Sequence, residues 1–236
     1  MNPATDIPPL PYTLLPQHKM LICSLATGDQ HLAMMQIMAP TVVYYAMKHR
    51  MDSLLLPMPN MRLDASRPPA WDKVILIRHA LTLYETVMWI DADAIICDPS
   101  RDIRDVLDPG CPVHLVAHRY PDKSVPNTGV WVCRRDERTF ALLEEIWDHR
   151  EFINHRWWEQ AALMDLIGYE PRDLSSRYRG EARYSGVVGF LGEEWNSRRV
   201  RPAINPVIIH CLGKNKKVQE MHKRYIEFLS RVFLTD

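Results

Sequence analysis

The sequence predicts an α/β fold in a single domain, a mainly parallel, Rossmann-like sheet flanked by helices. Three observations predict it. Short apolar runs alternate with longer segments of helical periodicity, the pattern of βαβ units. One such run, Thr86 to Ile90, ends on a pair of aspartates, where an open α/β sheet presents ligands. The length, 236 residues, suits one large α/β domain.

The elements follow in order. Prolines at 3, 8, 9, 11 and 16 make residues 1–17 an extended arm, and residues 18–236 form the domain. Lys19 to Ser24 reads as a buried strand running into a turn at Leu25–Asp29. Asp29 is placed to cap a helix from about Gln30 to Arg50. Leu54–Leu56 is a second strand, closed by Pro57 and Pro59. After a Pro-rich loop, Trp71 to Leu83 has helical spacing, and Thr86–Ile90 is the next strand. Val113–Ala117 and Gly129–Cys133 are strands, and Asp136–Trp147 and Trp157–Ile167 are helices. Val207–His210 is a last strand and Val218–Phe233 a last helix. Residues 172–201 hold seven arginines and little periodicity, so they read as a long mobile loop that orders over a bound diphosphate.

Composition narrows the function classes. Hydrophobic residues are 47% of the chain, enough for a real core. Lys plus Arg and Asp plus Glu are 29 each, so there is no basic excess of the kind nucleic-acid binders carry. The five cysteines are odd in number and mostly lie in apolar runs, which reads as reduced core residues in a cytoplasmic protein. No secretory leader pattern and no membrane-spanning stretch is expected.

Four segments carry chemistry. Asp91-Ala92-Asp93 ends an apolar strand, and carboxylates there are costly unless paired or bound to a cation. The functional reading is a divalent metal shared with a diphosphate, and the plain reading is a pair of acidic loop residues capping a helix. Ile208-Ile209-His210-Cys211-Leu212-Gly213-Lys214-Asn215-Lys216-Lys217 runs out of another strand. It offers an imidazole for the metal, a glycine for close backbone approach and lysines for phosphate, or else a core histidine and a solvated basic turn. Asn127-Thr128-Gly129 is a ligand-facing turn or an ordinary one. Trp157-Trp158-Glu159-Gln160 opens a helix, either as acids favouring its dipole or as a polar pair facing a sugar beside a tryptophan wall.

In this order the pieces resemble the GT-A-type glycosyltransferases over about Lys19 to Lys217. The resemblance is to the retaining family of fungal Golgi galactosyl- and mannosyltransferases and plant xyloglucan xylosyltransferases. Next comes the family of bacterial lipooligosaccharide galactosyltransferases and glycogenin. It implies Mn²⁺ (or Mg²⁺) held by Asp91, Asp93 and His210. It implies a nucleotide-sugar donor, UDP-linked, touched by Ser24, Ala26, Thr27, Lys73, Ala92, Asn127, Gly129, Gly213, Lys214 and Lys216. It places Glu159 and Gln160 beside the anomeric carbon, with Glu159 standing where the family has Asp. The acceptor would be a hydroxyl of a glycan, glycolipid or small molecule. The alternatives are a nucleotidyltransferase acting on a sugar phosphate and a non-catalytic sugar-nucleotide binder. The first would usually show a Gly-rich, basic loop after the first strand, and Leu25–Asp29 has one glycine and no Lys or Arg. A phosphatase reading of the aspartate pair would need a threonine soon after Asp93, which Ala94-Ile95-Ile96 does not supply.

Overall fold

The computed structural model describes residues 14–59, 61–213 and 217–233. Most of the N-terminal arm, and Lys214 to Lys216, lie outside the described residues. Among the described residues, nine strands form two sheets: β1 (Met20–Ala26), β2 (Asp52–Pro57), β3 (Thr86–Ile90), β4 (Ala94–Ile96), β5 (Val113–Arg119), β6 (Ser124–Arg134), β7 (Val188–Leu191), β8 (Ser197–Arg198) and β9 (Ile208–His210). The larger sheet runs β2-β1-β3-β6-β5-β7 and the smaller β4-β9-β8. In the larger sheet β1 pairs in parallel with both β2 and β3, and β5 with β7. Only β6 runs against its neighbours β3 and β5. The sheet is therefore mainly parallel, as predicted. The described residues also form α-helices α1 (Asp29–Lys48), α2 (Asp72–Ala80), α3 (Glu137–Asp148), α4 (Trp158–Leu166) and α5 (Lys217–Phe233).

Strand side chains alternate between faces, and both faces of this sheet are covered. Leu21, Cys23 and Leu25 of β1, Val87 and Trp89 of β3, and Trp131 and Cys133 of β6 join one core with α2, α3 and α4. Met20 and Ile22, Met88 and Ile90, and Val130 and Val132 join a second core with α1, β4, β9 and Met221 of α5. Two-sided burial explains why these strands read as unbroken apolar runs. All five cysteines are free, and four of them are buried in these layers.

Several local expectations need correction. Asp29 does not cap α1; the helix begins at Asp29, and Gly28 precedes it with φ 77°, a left-handed conformation that glycine adopts without strain. Asn127-Thr128-Gly129 is not a turn before a strand. It lies inside the longer β6, next to a bulge where the β5–β6 register shifts after Leu115. Residues 172–201 are not a structureless loop either, since they contribute β7 and β8. Arg172 bonds Glu151 and Asp165, Arg179 bonds Asp165, and Arg183 bonds Glu145. A guanidinium already paired with a carboxylate needs no diphosphate to hold it in place. Among the described residues no helix is long and apolar enough to cross a membrane.

Candidate active site

The site begins where β3 stops. Its ladder continues one step further, with Asp91 N donating to Gly129 O at 2.8 Å. A tight turn then closes as Ala94 N donates to Asp91 O at 2.9 Å. This turn carries the chain from the large sheet into the small one, where Ala94 of β4 pairs with His210 of β9. Cys211 N donates to Asp93 O at 2.8 Å. Residues more than a hundred positions apart are thus locked together by backbone, and their side chains meet. His210 Nε2 lies 3.0 Å from Asp93 Oδ1 and 3.7 Å from Asp91 Oδ2. Ligand atoms of Asp91, Asp93 and His210 all fall within 4.8 Å of one another.

Each member is oriented by further partners. His210 Nδ1 donates to Asn196 Oδ1 at 3.0 Å, which leaves Nε2 as the ring nitrogen that could ligate a metal. Asn196 Nδ2 donates to Asn127 Oδ1 (2.7 Å), and Asn127 Nδ2 donates to Gln160 Oε1 (2.9 Å). A line of fixed amides therefore runs from His210 to Gln160. Gly129 makes it possible, because an added Cβ there would overlap the His210 ring and Asn127 Oδ1. On the other side, Asp91 Oδ1 accepts from Trp89 Nε1 (2.6 Å) and Lys73 Nζ (2.9 Å). Lys73 also reaches Glu159 Oε1 at 3.0 Å, and Thr128 Oγ1 donates to the same oxygen at 2.9 Å. Lys217, at the start of α5, reaches Asp93 Oδ2 at 2.5 Å.

The charges are mutually held. Burial raises the Asp93 pKa, but the His210 ring and the Lys217 ammonium outweigh it and keep the carboxyl well below the usual range. Burial pushes Glu159 up, and Lys73 offsets only part of that. Burial lowers the Lys73 pKa, but Asp91 and Glu159 outweigh it and hold the ammonium charged. His118, buried against the backbone oxygen of Asn196, is pushed down to about 4 by burial and is neutral near pH 7.

These groups line one cavity of about 840 Å³. The end of β1 brings Leu25, Ala26 and Thr27; the turn after β3 brings Asp91, Ala92 and Asp93; Lys73, Asn127, Glu159, Gln160 and His210 complete the expected set. Of the expected residues that are described, Ser24, Gly129 and Gly213 are not on the cavity wall, and Ser24 is fully buried inside β1. Gly129 acts through the space it leaves for His210, and Gly213 is exposed one residue beyond Leu212, which does line the wall. Lys214 and Lys216 lie outside the described residues. The sequence reading gave no role to Asn196, His118 and Trp89, whereas Lys217 belongs to its run of lysines for phosphate and Thr128 to its ligand-facing segment. Asn196 carries no local signal because its partners come from three other segments.

Solved structures superpose on most of the chain. A glycosyltransferase involved in the glycosylation of the major capsid of PBCV-1 matches with a TM-score of 0.63 and 14% identity, covering 88% of this chain and 98% of that one. The galactosyltransferase LgtC, in complex with donor and acceptor sugar analogues, matches at 0.57 and 11%, covering 87% and 95%. The glycosyltransferase GlyE of Streptococcus pneumoniae TIGR4 matches at 0.56 and 10%, covering 89% and 61%. The fold is GT-A. No family model and no curated protein sequence matches the chain. A shared GT-A fold does not by itself carry an activity, so function rests on the site.

Proposed function

We propose that this GT-A chain is a metal-dependent glycosyltransferase. It moves a hexose or pentose from a UDP-sugar to a hydroxyl acceptor, with retention at the anomeric carbon. One observation carries the reading: Asp91, Asp93 and His210 converge from two strand ends onto the floor of a cavity large enough for a nucleotide-sugar. The donor set fits Mn²⁺ or Mg²⁺. Two carboxylates and an imidazole suit such a cation, and the Asn196 bond already selects the His210 tautomer that ligates. Bound there, the cation would neutralise charge on the diphosphate.

The protein's own groups supply the rest. Lys217 stands beside Asp93, where it can hold a phosphate oxygen as the diphosphate departs. Lys73 braces Asp91 against Glu159 and keeps both carboxylates in position. Gln160 Oε1 already accepts from Asn127 Nδ2 and from Thr128 N, and Nε2 donates one proton to Met164 Sδ at 4.0 Å, so the amide offers the sugar its remaining Nε2 proton and not a free oxygen. That favours a route in which the acceptor hydroxyl attacks on the face the diphosphate leaves and a phosphate oxygen takes its proton. Nucleotidyl transfer gains no support, since the β1–α1 turn brings no lysine or arginine to the cavity. We assign a reducing, cytoplasmic compartment, which five unpaired cysteines suit. Calorimetry of UDP in Mn²⁺ and in EDTA tests the proposal. Binding should weaken on the order of tenfold or more without the metal, and equal affinities would reject it.

A further inference from the structure

The mouth of the cavity differs from its floor. On the floor every carboxylate carries a cation: Asp91 has Lys73, Asp93 has Lys217, and Glu159 has Lys73. Among the described residues, the mouth shows cations without carboxylates. Arg156 is exposed and makes no ion pair, and Lys123 Nζ donates only to the backbone oxygen of Leu174, at 3.0 Å. Two exposed aromatic rings also line the cavity, Tyr120 at 40% and Trp158 at 42% exposure.

Trp158 is the unusual one. Trp157 packs against the core and against His155, with ring centroids 5.7 Å apart. Trp158 has no ring partner among the described residues and sits at φ 46°, a left-handed conformation costly for a bulky side chain. Leu174, which also lines the cavity and accepts from Lys123, is left-handed too, at φ 60°. An exposed aromatic in a strained backbone points to a ligand that uses it.

We propose that Trp158, Arg156 and Lys123 form the acceptor subsite, and that the acceptor is a sugar ring bearing an acidic group, a carboxylate or a phosphate. The inference rests on the proposed function, which gives the buried floor to the donor and leaves this exposed rim to the second substrate. The ring would lie on the indole of Trp158, and the acidic group would face the unpaired guanidinium of Arg156. A neutral glycan would leave both cations without an anionic partner.

The full chain with Mn²⁺ and UDP can be titrated with methyl β-glucuronide, glucose 6-phosphate and methyl β-glucoside, following tryptophan fluorescence. The two arms with charge separate carboxylate from phosphate. At least one should bind about tenfold more tightly than the glucoside, with the preference shrinking as salt rises. Arg156→Gln should erase the preference and leave glucoside affinity unchanged. Trp158→Gly, which also relieves the backbone, should weaken all three sugars several-fold without lowering Tm. UDP affinity should stay within about twofold in both variants. Equal binding of the three sugars, a preference that survives Arg156→Gln, or displacement of UDP by the charged sugars would overturn the proposal. If UDP itself failed to bind, the proposed function would fall, and the Arg156-dependent preference, read without UDP, would still decide the rim.

Discussion

Two clusters in this protein offer the same kind of ligands and differ in everything else. Asp91, Asp93 and His210 form one; His149, Glu151 and Asp165 form the other, also within 4.8 Å. The first is mostly buried at two strand ends and opens onto the cavity. The second lies away from the cavity lining, with Glu151 exposed, and is bound by guanidinium groups. Arg172 reaches Asp165 at 2.8 Å and Glu151 at 2.7 Å, and Arg179 reaches Asp165 at 2.6 Å. Arginine is a planar, permanently charged fork that satisfies a carboxylate, whereas lysine is a single movable charge. In the first cluster the cations are lysines, and the imidazole is oriented from behind by Asn196. Residue types alone therefore do not mark a metal site; enclosure, orientation and the identity of the competing cation do.

The largest expected effect sets the two clusters against each other. Asp93→Ala should weaken Mn²⁺-dependent UDP binding on the order of 100-fold, by calorimetry, because it removes a ligand outright. Asp165→Ala should lower Tm and leave that binding within about twofold. A reversed result would break the comparison.

Gln160→Ala comes next. Turnover should fall on the order of 100-fold, as for loss of a positioned donor, with UDP affinity changed only a few-fold. Loss of UDP binding in a folded variant would remove the sugar role. Gly129→Ala probes the orientation from behind. Its Cβ would collide with His210 and Asn127, so stability should drop by about 1–3 kcal/mol, and metal affinity should fall with it. An unperturbed His210 ring in a structure of that variant would contradict the account.

Acid gives a smaller effect at the second cluster. Burial raises the Asp165 pKa, but Arg172, His149 and Arg179 outweigh it, so the folded pKa lies below the unfolded one. As pH falls through about 4, the unfolded chain takes the proton first, and stability present above that pH is lost. Asp165→Asn should flatten the decline of Tm between about pH 5 and pH 3, and a decline as steep as the parent's would reject that source. The smallest change concerns residues 172–201. With Arg172, Arg179 and Arg183 already paired, hydrogen exchange there should be the same with and without UDP and Mn²⁺. Added protection on binding would restore the closing loop that the sequence suggested.

Strand and helix positions were largely legible. Thr86–Ile90 is β3 to the residue, and Val218–Phe233 falls within α5, because burial on both faces and helical periodicity are written locally. The short strands β4, β7 and β8 were not. They have four residues or fewer and exist because partners from distant segments pair with them. Residues 172–201 were misjudged for the same reason, since ion pairs with Glu145, Glu151 and Asp165 leave no periodic trace.

By itself the sequence determined the α/β class, the aspartate pair at a strand end and the glutamate–glutamine pair at a helix start, since each follows from neighbours along the chain. Only the tertiary structure decided that His210 meets Asp93, that Asn196 orients His210, that Lys217 stands beside Asp93 and that Ser24 turns away. Those contacts join segments tens to more than a hundred residues apart. Such contacts depend on strand order, the β3–β4 turn and the room left by Gly129, which no local stretch of sequence encodes.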